Sequence, residues 1–254
     1  HAAPGSGPFD ELQKLIRQDR IQPPPKVVVW NLSARDLGWR LFVRQPVESW
    51  FEKYDVWAAY FQAHPPPRIR WDRLMPAELS KAWPNTSLTA FASRRTWAQI
   101  KLVLFQDWTD DVLGVEDPDF GSMLFYRWNL KALPLLTAEQ DAPEVVKTVL
   151  RVARGFRARG ISLVVMLVPE KEQIHRAALP EDVRNSLAHG GAMLASIEEA
   201  LEAEGVPVVN LMPRFQAETE QGRRLYWRDD THWNDAGIRV AAEELWPVVE
   251  PLLK

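Results

Sequence analysis

The sequence predicts an α/β protein, a parallel sheet with helices on both faces. Three observations carry this. Residues 116–254 alternate between strand-like and helix-like segments. Two segments, Lys26–Trp30 and Ile161–Val168, are apolar almost without a break. Such runs fit strands buried on both faces, as parallel sheets require. Glycines at positions 160 and 205 close helix-like segments just before strand-like ones, the order expected of helices ending in a left-handed turn.

The elements follow in order. Phe9–Asp19 reads as a short amphipathic helix with Leu12, Leu15 and Ile16 on one side. Pro23-Pro24-Pro25 breaks it, and the strand-like Lys26-Val27-Val28-Val29-Trp30 follows. Residues 39–115 differ in composition. They hold seven of the twelve tryptophans, many arginines and the break His64-Pro65-Pro66-Pro67. Helical spacing fits Val47–Gln62 and Ser93–Trp108, so this stretch reads as a helical insertion or lid between two parts of the core, residues 1–38 and 116–254. Tryptophans at helical spacing, such as Trp50 and Trp57, read first as packing residues. A Trp- and Arg-rich surface gripping an acidic polysaccharide is the other reading. Ser122–Tyr126 is a short strand. Pro143 opens a helix to Arg159, and Ile161–Val168 is the strongest strand. Glu181–Glu204 is helical, Val206–Leu211 is a strand, and Asn234 caps a final helix from Asp235 to about Leu245.

Composition narrows the function. Hydrophobic residues make up 46% and charged residues 26%, and the net charge is −3. That is ordinary for a globular protein and lacks the basic face of a nucleic-acid binder. No apolar run reaches the ~18 residues of a membrane span. The chain opens His1-Ala2-Ala3-Pro4-Gly5, with neither the basic nor the apolar region of a signal peptide; a targeting segment removed ahead of it fits equally. With no cysteine, disulfides, thiol nucleophiles and thiolate metal sites are excluded. No phosphate loop or dinucleotide fingerprint occurs, and the Gly190-Gly191 pair alone is no phosphate cradle.

The chemistry concentrates before the final helix. Asp230 and His232 stand two apart. In an extended segment both project to one side. The carboxylate can then hold one ring nitrogen while the other acts as a general base. A chance Asp-x-His in a surface loop is the bland alternative. Asp229, Asp230 and His232 could offer metal ligands, but no second His or acidic cluster has ligand spacing, so no metal and no cofactor are expected.

The block Tyr226-Trp227-Arg228-Asp229-Asp230-Thr231-His232-Trp233-Asn234, with Gly237 following, resembles the Y-x-x-x-D-T-H-W-(T/N)-x-x-G signature of the SGNH-like alginate O-acetyltransferases. Val164–Lys171 resembles that family's strand ending V-P-x-K, and Gly121–Tyr126 its G-W-L-F strand without the Trp. Gly5–Trp30 resembles the segment after its nucleophile, a helix leading through prolines to a strand ending W-E. Residues 39–115 match nothing in it. The resemblance implies a three-layer, flavodoxin-like α/β fold. It also implies Asp230 as orienting acid, His232 as base, and a serine nucleophile on a Gly-(Asp/Thr)-Ser turn. That turn does not occur in these 254 residues. The family places D-T-H-W before its serine turn and the W-E strand after it, whereas here the strand comes first. The nucleophile is therefore expected outside this chain. Ser33, after the strand Val27–Trp30, is the rival nucleophile within it, although Asn31-Leu32 lacks the glycine a tight turn favours. Arg35, Lys171 and Trp233 are the candidate substrate contacts, with a salt-bridge partner and a solvated lysine as the plainer readings of the first two. Where His175 stands the family often has an aromatic, so His175 is given no role, and His64 and His189 receive none.

The resemblance thus implies an O-acetyltransferase or acetylesterase acting on an extracytoplasmic polysaccharide, in the periplasm or anchored to a membrane by a removed segment. Its partners would be a polysaccharide acceptor, an acetyl donor and a membrane-bound protein supplying acetyl groups, and not a nucleic acid. The alternatives are a non-catalytic polysaccharide-binding or assembly protein on the same fold and, less strongly, a plain lipase-like esterase.

Overall fold

The structure is a computed structural model and describes residues 8–17, 25–38, 42, 45–52, 55, 59, 111–117, 119–187 and 190–254. Its centre is a parallel sheet of β1 (Val27–Ser33), β4 (Ser162–Val168) and β5 (Val208–Asn210), with β4 in the middle. β1 pairs with β4 from Val27 opposite Ser162 to Ser33 opposite Val168. Leu163 to Leu167 are all buried, which is why this segment carries no polar alternation.

Helices cover the sheet. α1 (Pro8–Arg17) packs on β1, and its apolar stripe places Leu12 and Ile16 in the core. α3 (Ala138–Arg157) and α6 (Gly190–Ala203) pack on each other and on the sheet, as do α7 (Leu211–Glu220) and α8 (Asp235–Leu253). The result is the three-layer α/β arrangement that the sequence predicts. Gly160 and Gly205 have φ of 70° and 71°. Each closes its helix: Ile161 N donates to Phe156 O and Val206 N to Leu201 O, both at 3.0 Å. A side chain at either position would be strained.

Several elements differ from expectation. α3 begins at Ala138 under a Thr137 cap, so Pro143 lies inside its first turns rather than opening it. The expected helix Glu181–Glu204 divides into α5 (Glu181–Ser186) and α6. α8 runs past Leu245 to Leu253 through Pro247 and Pro251; the carbonyl left unpaired by Pro247 belongs to Glu243, an exposed residue. β3 (Gly121–Tyr126) joins no parallel sheet. It pairs antiparallel with β2 (Val112–Asp117), a strand that spans the expected boundary at residue 115. α2 (Arg127–Ala132), the single turn α4 (Lys171–Ile174) and α7 were not expected.

The helix expected over Val47–Gln62 is helical at 47–52, 55 and 59, and its other residues lie outside the described ones, as do Trp57, His64, His189 and Ser93–Trp108. Phe42, Val47, Trp50 and Phe51 are buried in the main core. Phe51 meets Phe156 edge-on at 5.1 Å, and Arg151 pairs with Glu48. No helix among the described residues is long and apolar enough to cross a membrane.

Candidate active site

The segment between α7 and α8 folds back on itself. Tyr226 and Trp233 form an antiparallel bridge, Trp227 N donates to His232 O at 3.1 Å, and Asn234 N donates to Leu225 O at 2.9 Å. Asp230 and His232 lie at the tip of this loop. Asp230 Oδ1 accepts from the backbone N of His232 at 3.0 Å and is 2.5 Å from its Nδ1. Partial burial alone would push the Asp230 carboxyl up. The hydrogen bonds from the His232 ring and backbone, and the charge of His232, outweigh this and hold it below the usual carboxylate range. With Nδ1–H on the carboxylate, Nε2 carries the lone pair. That nitrogen has no hydrogen-bond partner among the described residues. The His232 side chain is 79% exposed, so the dyad faces outward from the loop.

Three groups, two of them buried and Asn234 half-buried, fix the loop from below. The Tyr226 hydroxyl donates to Pro169 O at 2.6 Å. The Asn234 amide donates to Arg224 O at 2.8 Å, and its oxygen caps α8. Lys171, fully buried, donates through Nζ to the carbonyls of Trp227 (2.7 Å), Arg228 (2.8 Å), Asp230 (3.1 Å) and, on β3, Leu124 (2.8 Å). Burial lowers this ammonium to about 8 against the pull of Glu172, Asp229 and Asp230, with Arg224 adding to the fall. The ammonium that the sequence reading offered as a substrate contact is thus turned toward protein carbonyls. It is a brace between β3 and the dyad loop, placed beneath that loop as the first residue of α4.

The other expected contacts have protein partners too. Ser33 ends β1, and its hydroxyl donates to Asp36 Oδ2 at 2.5 Å. Among the described residues no hydrogen bond links it to His232, so the structure does not join Ser33 to the dyad. Its neighbour Arg35 lies 3.6 Å from Glu170 Oε1, the salt-bridge role. Trp233 packs edge-on to Phe215 at 5.6 Å and is partly buried against the core; its ring serves packing on α7. Among the described residues no group of three or more His, Asp or Glu could hold a metal ion.

Glu170 was missed by sequence reasoning. It is buried, caps α4 and receives the backbone N of Arg35. Its glutamine at N3, Gln173, completes a capping box, and that Glu-x-x-Gln spacing was the readable signal.

A three-layer α/β domain with a carboxylate-held histidine in the loop before its last helix defines the class. The family described as SGNH hydrolase-like domain, acetyltransferase AlgX, matches residues 123–253, half of the chain, and the chain belongs to that family. Over 112 residues, 44% of the chain, it is 26% identical to the probable alginate O-acetylase AlgJ of Pseudomonas fluorescens. It spans 28% of the length of that relative. No solved structure matches it significantly.

Proposed function

We propose that this chain forms part of a polysaccharide O-acetyltransferase or acetylesterase in which Asp230 orients His232 as the general base. The observation that carries this reading is the 2.5 Å contact between Asp230 Oδ1 and His232 Nδ1 on a braced loop, which leaves Nε2 open. The family to which the chain belongs and its relative, a probable alginate O-acetylase, support the same chemistry. The nucleophile is a serine outside the described residues. Nε2 takes the proton from its hydroxyl as the oxygen attacks the carbonyl of an acetyl ester. The proton passes to the departing group, and an acetyl-serine remains. In the second half, a sugar hydroxyl or water attacks that ester, gives its proton to Nε2, and the serine oxygen recovers it. The acceptor is an extracytoplasmic polysaccharide, and a membrane-bound partner supplies the acetyl group; the relative's name, a probable alginate O-acetylase, supports the polysaccharide.

Full-length protein carrying His232→Ala tests this with a chromogenic acetyl ester and a polysaccharide acceptor. Turnover falls by roughly 100-fold or more, the usual worth of a positioned base. Mass spectrometry of the wild type after rapid quenching finds a single acetylated serine, which names the nucleophile. Unchanged turnover in the variant sinks the reading and leaves glycan binding without chemistry on the same fold.

A further inference from the structure

The dyad loop sorts its side chains onto two faces. Tyr226 and Trp233 are bridged in antiparallel register, and one step further on Trp227 N donates to His232 O at 3.1 Å. Trp227 and His232 are therefore opposite each other. Side chains so paired project to one face of the ladder, with Cβ atoms about 5 Å apart, and neighbours along a strand alternate between faces. Burial follows the same division. Tyr226 is 1% exposed and Trp233 is packed against the core. Trp227 is 47% exposed, and the His232 side chain faces outward with it. The sequence reading offered Trp233 as a substrate contact; the hairpin gives that place to Trp227.

An indole left half in water forgoes the burial that large aromatics contribute to a fold. One such residue alone carries no message, but here they gather. Among the described residues four Phe, Tyr or Trp side chains are exposed: Tyr126, Trp128, Trp227 and Trp246. The first three lie at the end of β3, in the first turn of α2 and on the dyad loop. β3 is bound to that loop, because Leu124 N donates to Arg228 O at 2.7 Å and Lys171 Nζ donates to the carbonyls of both Leu124 and Trp227. Charged residues stand among these rings: Tyr126-Arg127-Trp128 and Trp227-Arg228-Asp229-Asp230 are exposed throughout. The centre of a protein–protein interface is depleted of charge, so this mixture does not suit a protein partner. It suits a carbohydrate. The C–H faces of a sugar lie on aromatic rings, while its hydroxyls accept hydrogen bonds from arginine and donate them to carboxylates.

We propose that the Trp227 indole is the platform on which the accepting sugar unit of the polysaccharide stacks, presenting its hydroxyl to His232 Nε2. This rests on the acyl-transfer reading of the dyad. Full-length protein is titrated with hexamers of β-linked glucose, mannose, N-acetylglucosamine and mannuronate, followed through the indole N–H resonance of Trp227. At least one hexamer binds saturably and shifts that resonance. Trp227→Ala weakens this binding about tenfold and raises the KM for the same hexamer in acetyl transfer to match. Trp227→Phe, which keeps a ring to stack on, loses less. Trp246→Ala, which removes a comparably exposed tryptophan from α8, changes neither. The binding measurement separates this proposal from the reading beneath it. Full turnover in His232→Ala with weakened binding in Trp227→Ala removes the base and leaves the stacking site. Lost turnover in the first with wild-type binding in the second does the reverse. The proposal is overturned if no hexamer shifts the Trp227 resonance, if Trp227→Ala binds as well as wild type, or if Trp246→Ala weakens binding as much as Trp227→Ala does.

Discussion

Glu170 and Lys171 are adjacent, both buried, and both pushed toward their neutral forms. For Glu170 burial is the main cause: it raises the carboxyl to about 7 from 4.5, with Glu172 pushing further and Arg35 and Ser33 pulling back. Between those two values the folded state keeps a proton that the unfolded chain has released. The contribution to stability is therefore complete below about pH 4.5 and is lost as pH rises through 7. The gap corresponds to about 3 kcal/mol at most. Glu170→Gln keeps a hydrogen-bonding oxygen and removes the titration. Urea unfolding of both proteins at about pH 5 and about pH 8 shows the variant gaining on wild type at the higher pH by up to that amount. Parallel pH profiles for the two proteins refute the assignment. Glu172, raised in the same direction by its own burial, is present in both proteins. The burial was not legible from the sequence: Lys171 has there the plainer reading of a solvated lysine, and only the fold shows that it and both flanking glutamates are buried.

At the scale of elements, the first turn of α8 decides the position of the dyad loop. Asn234 accepts from Ala236 N at 3.0 Å and Gly237 N at 3.1 Å. Gly237 is there for space. A Cβ on it would stand 2.3 Å from Leu225 O and 3.1 Å from Trp233 Cβ, and a backbone oxygen cannot swing aside as a flexible side chain can. Alanine normally favours a helix over glycine by about 1 kcal/mol. Here overpacking of about 1–3 kcal/mol opposes it, so Gly237→Ala lowers the thermal midpoint and moves the His232 ring resonance. A variant more stable than wild type contradicts the close approach. Asn234→Ala costs about 1–2 kcal/mol through the lost cap. This cap was readable, because Asn before an apolar-periodic segment is a strong local signal. β4 was readable for a comparable reason: a segment buried on both faces has no polar alternation to blur it, and β1, whose burial alternates, was readable because Val27 and Val29 on its less buried side are apolar too. β2 was not. Val112–Asp117 is half-exposed along most of its length, contains Gly114 and ends in two acids, so neither an apolar run nor alternation marked it. The division of Glu181–Ala203 escaped because a break between helices needs only local turn geometry, which leaves the helical spacing on either side intact.

For the whole molecule, the parallel core and the Asp230–His232 pair were visible in the sequence, while the coupling between the two sheets was not. That coupling rests on Lys171. One ammonium with three hydrogens faces four carbonyls, three on the dyad loop and one on β3. β3 is tied to the loop again by Leu124 N donating to Arg228 O at 2.7 Å. The parallel sheet needs none of these bonds, since β4 is buried between β1, β5 and the helices. Lys171→Met fills similar space but leaves the carbonyls without their donor, at a cost of about 3 kcal/mol. That loss falls on the loop and the hairpin. Native-state hydrogen exchange then shows the amides of Leu124 and Trp227 losing protection by roughly 100-fold while those of Leu163–Leu167 keep theirs, because regions of one protein open with separate free energies. An equal loss throughout β4 would make Lys171 a support of the entire core, and no loss anywhere would mean the loop and hairpin hold their register without it.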